Sequence, residues 1–129
     1  MALTFGFSDA DWRHMASAGY GYLAEVAAGS RTTSYSEFCA QVFDRTGHRV
    51  EPADAALGGL LAEIARRSLS DRTVLLPAVI LSGDRGQPGA GFFTFAEDAG
   101  LLSTRARQDA KLVFWAEHLN RTFAAYGGR

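Results

Sequence analysis

Two groups of residues in this chain have the types and spacing that could do chemistry. The first is the run Gly83-Asp84-Arg85-Gly86-Gln87-Pro88-Gly89-Ala90-Gly91, dense enough in glycine to turn backbone N–H groups toward an anion. It lacks the Lys-Ser/Thr ending of a phosphate loop. The aromatic Phe92-Phe93-Thr94-Phe95 that follows reads as a strand, whereas a phosphate loop feeds a helix. The run is therefore expected to be the tip of a β-hairpin, with a ligand loop as the alternative. The second group is Arg105, Arg107 and Lys111, at the start of a helix predicted over residues 103–126. The macrodipole already makes that end positive, so bases there favour an anion such as a phosphate or a partner's acidic side chain. Solvated charges at a frayed helix end, with Arg105 paired to Asp109, are the alternative.

Other reactive residue types form no constellation. His14, His48 and His118 lack the i,i+4 spacing of a metal pair, and His118 beside Glu117 is expected on a solvated helix face. No Gly-x-Ser-x-Gly elbow is present, and the neighbouring carboxylates Glu97 and Asp98 point apart on a short helical turn. The single cysteine, Cys39, excludes an internal disulfide, and its apolar neighbours Phe38 and Ala40 mark a buried thiol. No catalytic residue, metal or cofactor is assigned.

The elements that must position these groups follow from pattern. At 129 residues, 47% hydrophobic and 21% charged, the chain is expected to form one globular domain, residues 1–129. Ser8 caps a first helix, about 8–28, whose buried stripe includes Trp12, Met15, Leu23 and Val26. Ser34-Tyr35-Ser36-Glu37 is a capping box for a second helix, which Gly47 stops. Pro52 opens a third, with Leu57, Leu60, Leu61 and Ile64 inward and Arg66-Arg67-Ser68 leading out; Gly58-Gly59 within it implies close packing on a neighbour. The continuous apolar run 73–82 predicts a buried strand, with Pro77 at an edge or a bulge. The last helix keeps Leu112, Trp115, Leu119, Phe123 and Tyr126 on one stripe that Val113 and Phe114 widen.

Helix, helix, strand, loop, strand and helix is the order of a winged-helix domain. Residues 33 to 95 resemble the DNA-binding domain of alkylguanine-DNA alkyltransferases and alkyltransferase-like proteins. Thr33-Ser34-Tyr35-Ser36-Glu37-Phe38 is similar to their Thr-Thr-Tyr-Gly-Glu helix start, Ala55-Ala56-Leu57-Gly58 to their Arg-Ala-Val-Gly segment, and Leu76-Pro77-Ala78-Val79-Ile80-Leu81 to their Ile-Pro-Cys-His-Arg-Val strand. Ala78, Val79 and Ile80 stand at the positions of that family's cysteine, histidine and arginine, and Ala55 at that of the arginine replacing a flipped base. The resemblance implies the scaffold without alkyl transfer. The expected fold is α+β: a single winged-helix-like domain, core about 31–101, its helices packed on a β-hairpin and flanked by long helices at about 8–28 and 103–126.

Charge and surface bound the function. Residues 31–101 carry seven bases and nine acids, so the expected core is no basic platform; residues 102–129 carry five and two. Twelve of thirteen bases are arginine, with alanine and glycine abundant, the usage of a GC-rich bacterial genome. No apolar run reaches the roughly 18 residues of a membrane span, and the first residues lack a signal peptide's basic start, so a cytoplasmic protein is expected. The leading expectation is a non-enzymatic binding or regulatory module acting through protein contacts. Trp12, Met15, Phe114, Trp115, Phe123 and Tyr126 are its candidate interface, and a homodimer seam is one form it takes. The alternative is DNA binding through Arg66, Arg67 and Arg85. Anion or small-ligand binding comes third.

Overall fold

The computed structural model describes residues 3–82 and 86–127, and over these the chain is built mainly of helices. Helix α1 spans Asp9–Ala28. Ser8 starts it, its Oγ accepting the Asp11 N–H at 3.1 Å, and Met15, Ala16, Gly19, Leu23, Val26 and Ala27 form the buried face. Gly19 is required by packing: a Cβ there would lie 2.8 Å from the Phe38 ring, so α1 meets the next helix almost backbone to side chain. Strand β1 is only Thr33–Ser34, and α2 follows at Tyr35–Thr46. The Ser34 Oγ accepts the Glu37 N–H at 3.1 Å, but the Glu37 carboxylate accepts from Gln41, so the capping box is half made. Gly47 ends α2 at φ 78°, a left-handed conformation that glycine adopts without a Cβ penalty.

Helix α3 runs Ala55–Arg72, so Arg66, Arg67 and Ser68 lie inside it. Gly59 packs closely, as a Cβ would stand 2.6 Å from Phe5, while Gly58 has open space over it. Thr73 closes α3 at φ 59°. A 3₁₀ turn at Leu76–Val79 and strand β2, Ile80–Leu81, come next. Helix α4 spans Ala90–Asp98 and α5 spans Gln108–Tyr126.

The winged-helix expectation is overturned. The sheet is a parallel pair, Thr33 opposite Ile80 and Ser34 opposite Leu81, with α2 and α3 as the crossover. Among the described residues there is no α+β core with helices packed on a β-hairpin. Two segments expected as strands take other forms. Residues 74–80 are all buried, as a continuous apolar run predicts, but Pro77 cannot donate to a ladder, and the chain coils into the 3₁₀ turn. Phe92-Phe93-Thr94-Phe95 is too short to distinguish a period of two from one of 3.6. Over the whole of α4 the buried residues are Phe92, Phe93 and Ala96, a helical stripe. At the expected hairpin, a hairpin-like contact puts the Ser82 N–H on the Gln87 carbonyl at 2.7 Å. The glycine loop feeds a helix, contrary to the expected strand. Residues 83–85, and Arg85 with them, lie outside the described residues.

Two apolar clusters form the core. The larger joins α1, α2, α3 and the 3₁₀ turn around Met15, Leu23, Phe38, Leu60 and Ile64. Phe38 has no exposed surface, a burial that contributes about 2–3 kcal/mol. The smaller cluster gathers Ala65, Leu75, Ala78, Phe92, Phe93 and Ala96, with Phe114 and Trp115 of α5 against it.

Candidate functional site

An open groove of about 310 Å³ separates α3 from the end of α4. Ala62, Ala65, Arg66 and Leu69 form its α3 wall, residues at i, i+3, i+4 and i+7 that share one helix face. Phe95, Asp98 and Ala99 form the opposite wall with the same i, i+3, i+4 spacing, and Leu75 is the floor. Small alanines on both walls leave the opening. Leu69 and Phe95 pack against the smaller core cluster while keeping part of their surface exposed, so the groove continues the core outward.

Each wall has one charged residue lining the groove, Arg66 on α3 and Asp98 opposite. On α3, Arg66 and Arg67 both hold Glu63, at 2.9 and 3.2 Å, and Arg67 also donates to the Ser17 hydroxyl. The Arg66 hydrogen bond, foremost, holds the Glu63 carboxyl below its ordinary range. Glu63 thus offsets Arg66, the base that lines the groove, while Arg67 faces α1 in a separate cleft with Ser17, Tyr20 and Asp71. Asp98 makes no ion pair among the described residues. The groove is apolar at its centre, with Arg66 and Asp98 at its edges.

Other predicted residues are placed apart from it. Met15 is fully buried in the larger cluster. Trp12 stacks on Phe5 at 5.5 Å, Phe114 packs on Phe92 at 6.0 Å and on His118 at 5.4 Å, and the Trp115 Nε1 donates to the Ala78 carbonyl at 2.9 Å. Phe123 and Tyr126 lie against the larger cluster, and the Tyr126 and Tyr20 hydroxyls meet at 2.6 Å. The aromatic faces of α1 and α5 thus meet partners inside the chain. Arg105 lies before α5, Arg107 is its N-cap without a side-chain capping bond, and Lys111 sits 5.7 Å from the Phe93 ring centroid. Lys111 shares a cleft with Gln87, Thr94, Glu97 and Gln108. Cys39 is buried, and desolvation, with Glu51 and Asp54 nearby, pushes its thiol up to about 11, so it is protonated at neutral pH.

A residue expected on a solvated face turns out to be central. His118 is 1% exposed and its Nε2 accepts the Leu75 N–H at 2.7 Å, which puts the proton on Nδ1. That Nδ1 is buried without a hydrogen bond. Burial, and secondarily Arg121, lowers the imidazole to about 4, so it is neutral at physiological pH. Beside it the Ser68 Oγ accepts the Leu76 N–H at 3.0 Å and donates to the Ala65 carbonyl at 3.1 Å. The signal was available in sequence: His118 lies on the stripe of Trp115, Leu119 and Thr122, at i+3, i+4 and i+7. Its role is to satisfy buried backbone.

Among the described residues no group of three or more His, Cys, Asp or Glu could hold a metal ion, and no helix is long and apolar enough to cross a membrane. Comparison with protein-family models, with curated proteins and with solved structures finds no match to this chain.

Proposed function

We propose that this protein acts by binding another protein through the groove between α3 and α4. The observation that carries the reading is the groove itself: an open apolar trough continuous with the core, walled by alanines and bordered by Arg66 and Asp98. Apolar centres with a charged rim are how protein interfaces are built, and the residues with most energy sit where water is excluded. Leu69 and Phe95 are only partly buried, so a partner side chain entering between the walls would remove their remaining apolar surface from water.

The test is site-specific photo-cross-linking in the cells that make the protein. A benzophenone amino acid is placed at Ala62 or Ala99 in the groove and, as a control, at the exposed Ala116 of α5. One adduct of defined mass at both groove positions, absent at Ala116 and lost when Ala99→Arg is added to the Ala62 probe, is the expected result. Equal labelling at all three positions, or none, would sink the reading. An adduct at twice the chain's mass would identify the partner as a second copy.

A further inference from the structure

We propose that residues 3–7 form a displaceable strap: Phe5 plugs a notch made by Gly59 and Trp12, and lifts off it about Gly6 to admit a phenylalanine ring of another polypeptide. The segment is a tight turn. The Thr4 and Phe7 N–H groups each donate to the other's carbonyl at 2.9 Å, and Phe5 and Gly6 between them stand at φ 51° and 86°. A two-residue turn with both centres left-handed favours asparagine or glycine there, so a phenylalanine at the first is strained. The seat of the ring carries a second cost. Gly59 lies inside α3, where glycine weakens a helix relative to alanine, yet a Cβ there would stand 2.6 Å from the Phe5 ring and 3.2 Å from Trp12. Helix stability is thus given up to leave room for an aromatic ring, which stacks on Trp12 with centroids 5.5 Å apart.

The two aromatic residues of the turn are held unequally. Phe7 packs against the larger core cluster, its ring centroid 6.3 Å from that of Trp12 and edge-on to His48 at 5.8 Å. Phe5 lies outside that cluster and is 52% exposed, and Leu3 is 60% exposed. None of residues 3–7 is charged, and among the described residues no backbone hydrogen bond joins them to another element. Phe7 is therefore the anchor, Gly6 the pivot and Phe5 the part that opens, with few buried contacts opposing its release. Opening relieves the backbone at Phe5 and leaves the glycine notch free beside the Trp12 face. A partner's phenylalanine then takes the stacking that Phe5 gives up. The notch shares no residue with the α3–α4 groove, so this inference stands whether or not that groove docks a protein.

The probe is an acetylated and amidated peptide with the sequence of residues 3–6, titrated into the full chain and read by NMR shifts of the Gly59 amide and the Trp12 indole N–H. Wild-type protein should bind it weakly, because its own Phe5 competes for the notch. Phe5→Gly, which removes ring and strain together, should bind it about tenfold more tightly or better. Adding Gly59→Ala, whose methyl fills the notch, should abolish that gain, and a peptide with alanine in place of phenylalanine should shift neither signal. Equal affinity of wild type and Phe5→Gly, no binding to Phe5→Gly, or binding that survives Gly59→Ala would each overturn the proposal. Native-state hydrogen exchange on the unaltered protein tests the opening by itself. The Thr4 and Phe7 amides should exchange about a hundredfold faster than those of the buried Leu23 and Val26 in α1. Protection equal to that of α1 would mean that the segment opens only with the whole fold, and the strap would be lost.

Discussion

Two regions of this molecule treat polar and apolar groups in opposite ways. From Thr73 to Leu81 the chain is irregular yet almost wholly buried, and helices on both sides supply hydrogen bonds that a sheet ladder would otherwise give: His118 to Leu75, Ser68 to Leu76, Trp115 to Ala78. The α3–α4 groove is walled by two regular helices whose backbones satisfy themselves, and only its floor, Leu75, relies on a side-chain partner. Buried irregular backbone demands specific partners, because each orphaned group costs roughly 1–3 kcal/mol. A regular surface makes no such demand and can be shaped for binding. Stability is thus concentrated in the first region, and the proposed recognition surface lies on the second.

The comparison breaks most severely at His118. His118→Ala removes a buried ring and leaves the Leu75 N–H without an acceptor, and should cost about 4 kcal/mol in urea unfolding; a loss under about 1 kcal/mol would show that α5 does not hold the segment. The same contact predicts a pH dependence. The folded imidazole titrates at about 4 against an ordinary 6.5, so the fold favours the neutral ring. That stability is complete above pH 6.5 and drains away as pH falls toward 4, by roughly 3 kcal/mol. The ion-paired Glu63 carboxylate, held low by Arg66 and Arg67, adds its own loss only below its ordinary 4.5. Urea midpoints unchanged between pH 7 and 5 would contradict the buried neutral histidine.

Smaller changes sharpen the contrast. Ser68→Ala should cost about 2 kcal/mol by stranding the Leu76 N–H, visible as faster hydrogen exchange at that amide. Thr73 is β-branched and held at φ 59°, so Thr73→Gly should raise the thermal midpoint, by an equivalent of about 1 kcal/mol. Ala99→Arg, at the exposed lip of the groove, should move stability by no more than about 0.5 kcal/mol while abolishing the groove cross-link. A variant that lost stability and binding together would blur the two regions into one.

Several features were legible from local sequence because their physics is local. Ser8 and Ser34 accept the amides three residues on, Gly47 takes the left-handed cap, and the stripe from Met15 to Val26 is buried as spaced. Each depends on groups within a turn or two of one another. The α3 face that walls the groove, Ala62, Ala65, Arg66 and Leu69, was equally periodic, but alanines on a stripe look alike whether they are covered or left as a trough.

Tertiary structure decided the rest. Phe92-Phe93-Thr94-Phe95 suits a strand or a helix by composition, and packing on Leu75, Ala78 and α5 selected the helix. The run 73–82 is apolar enough for a strand, yet Pro77 and the side-chain hydrogen bonds of His118 and Ser68 made a turn the better way to satisfy its backbone. In sequence His118 sits beside the charged Glu117 and reads as solvated; its neighbours in space are Phe92, Phe114 and the Leu75 amide. By itself the sequence determined where α1 and α2 start, where α2 stops and which faces of the first three helices turn inward, since those depend on spacing along one helix. Which segments became helix or strand, and where a groove was left, depended on partners tens of residues away, whose positions no local period encodes.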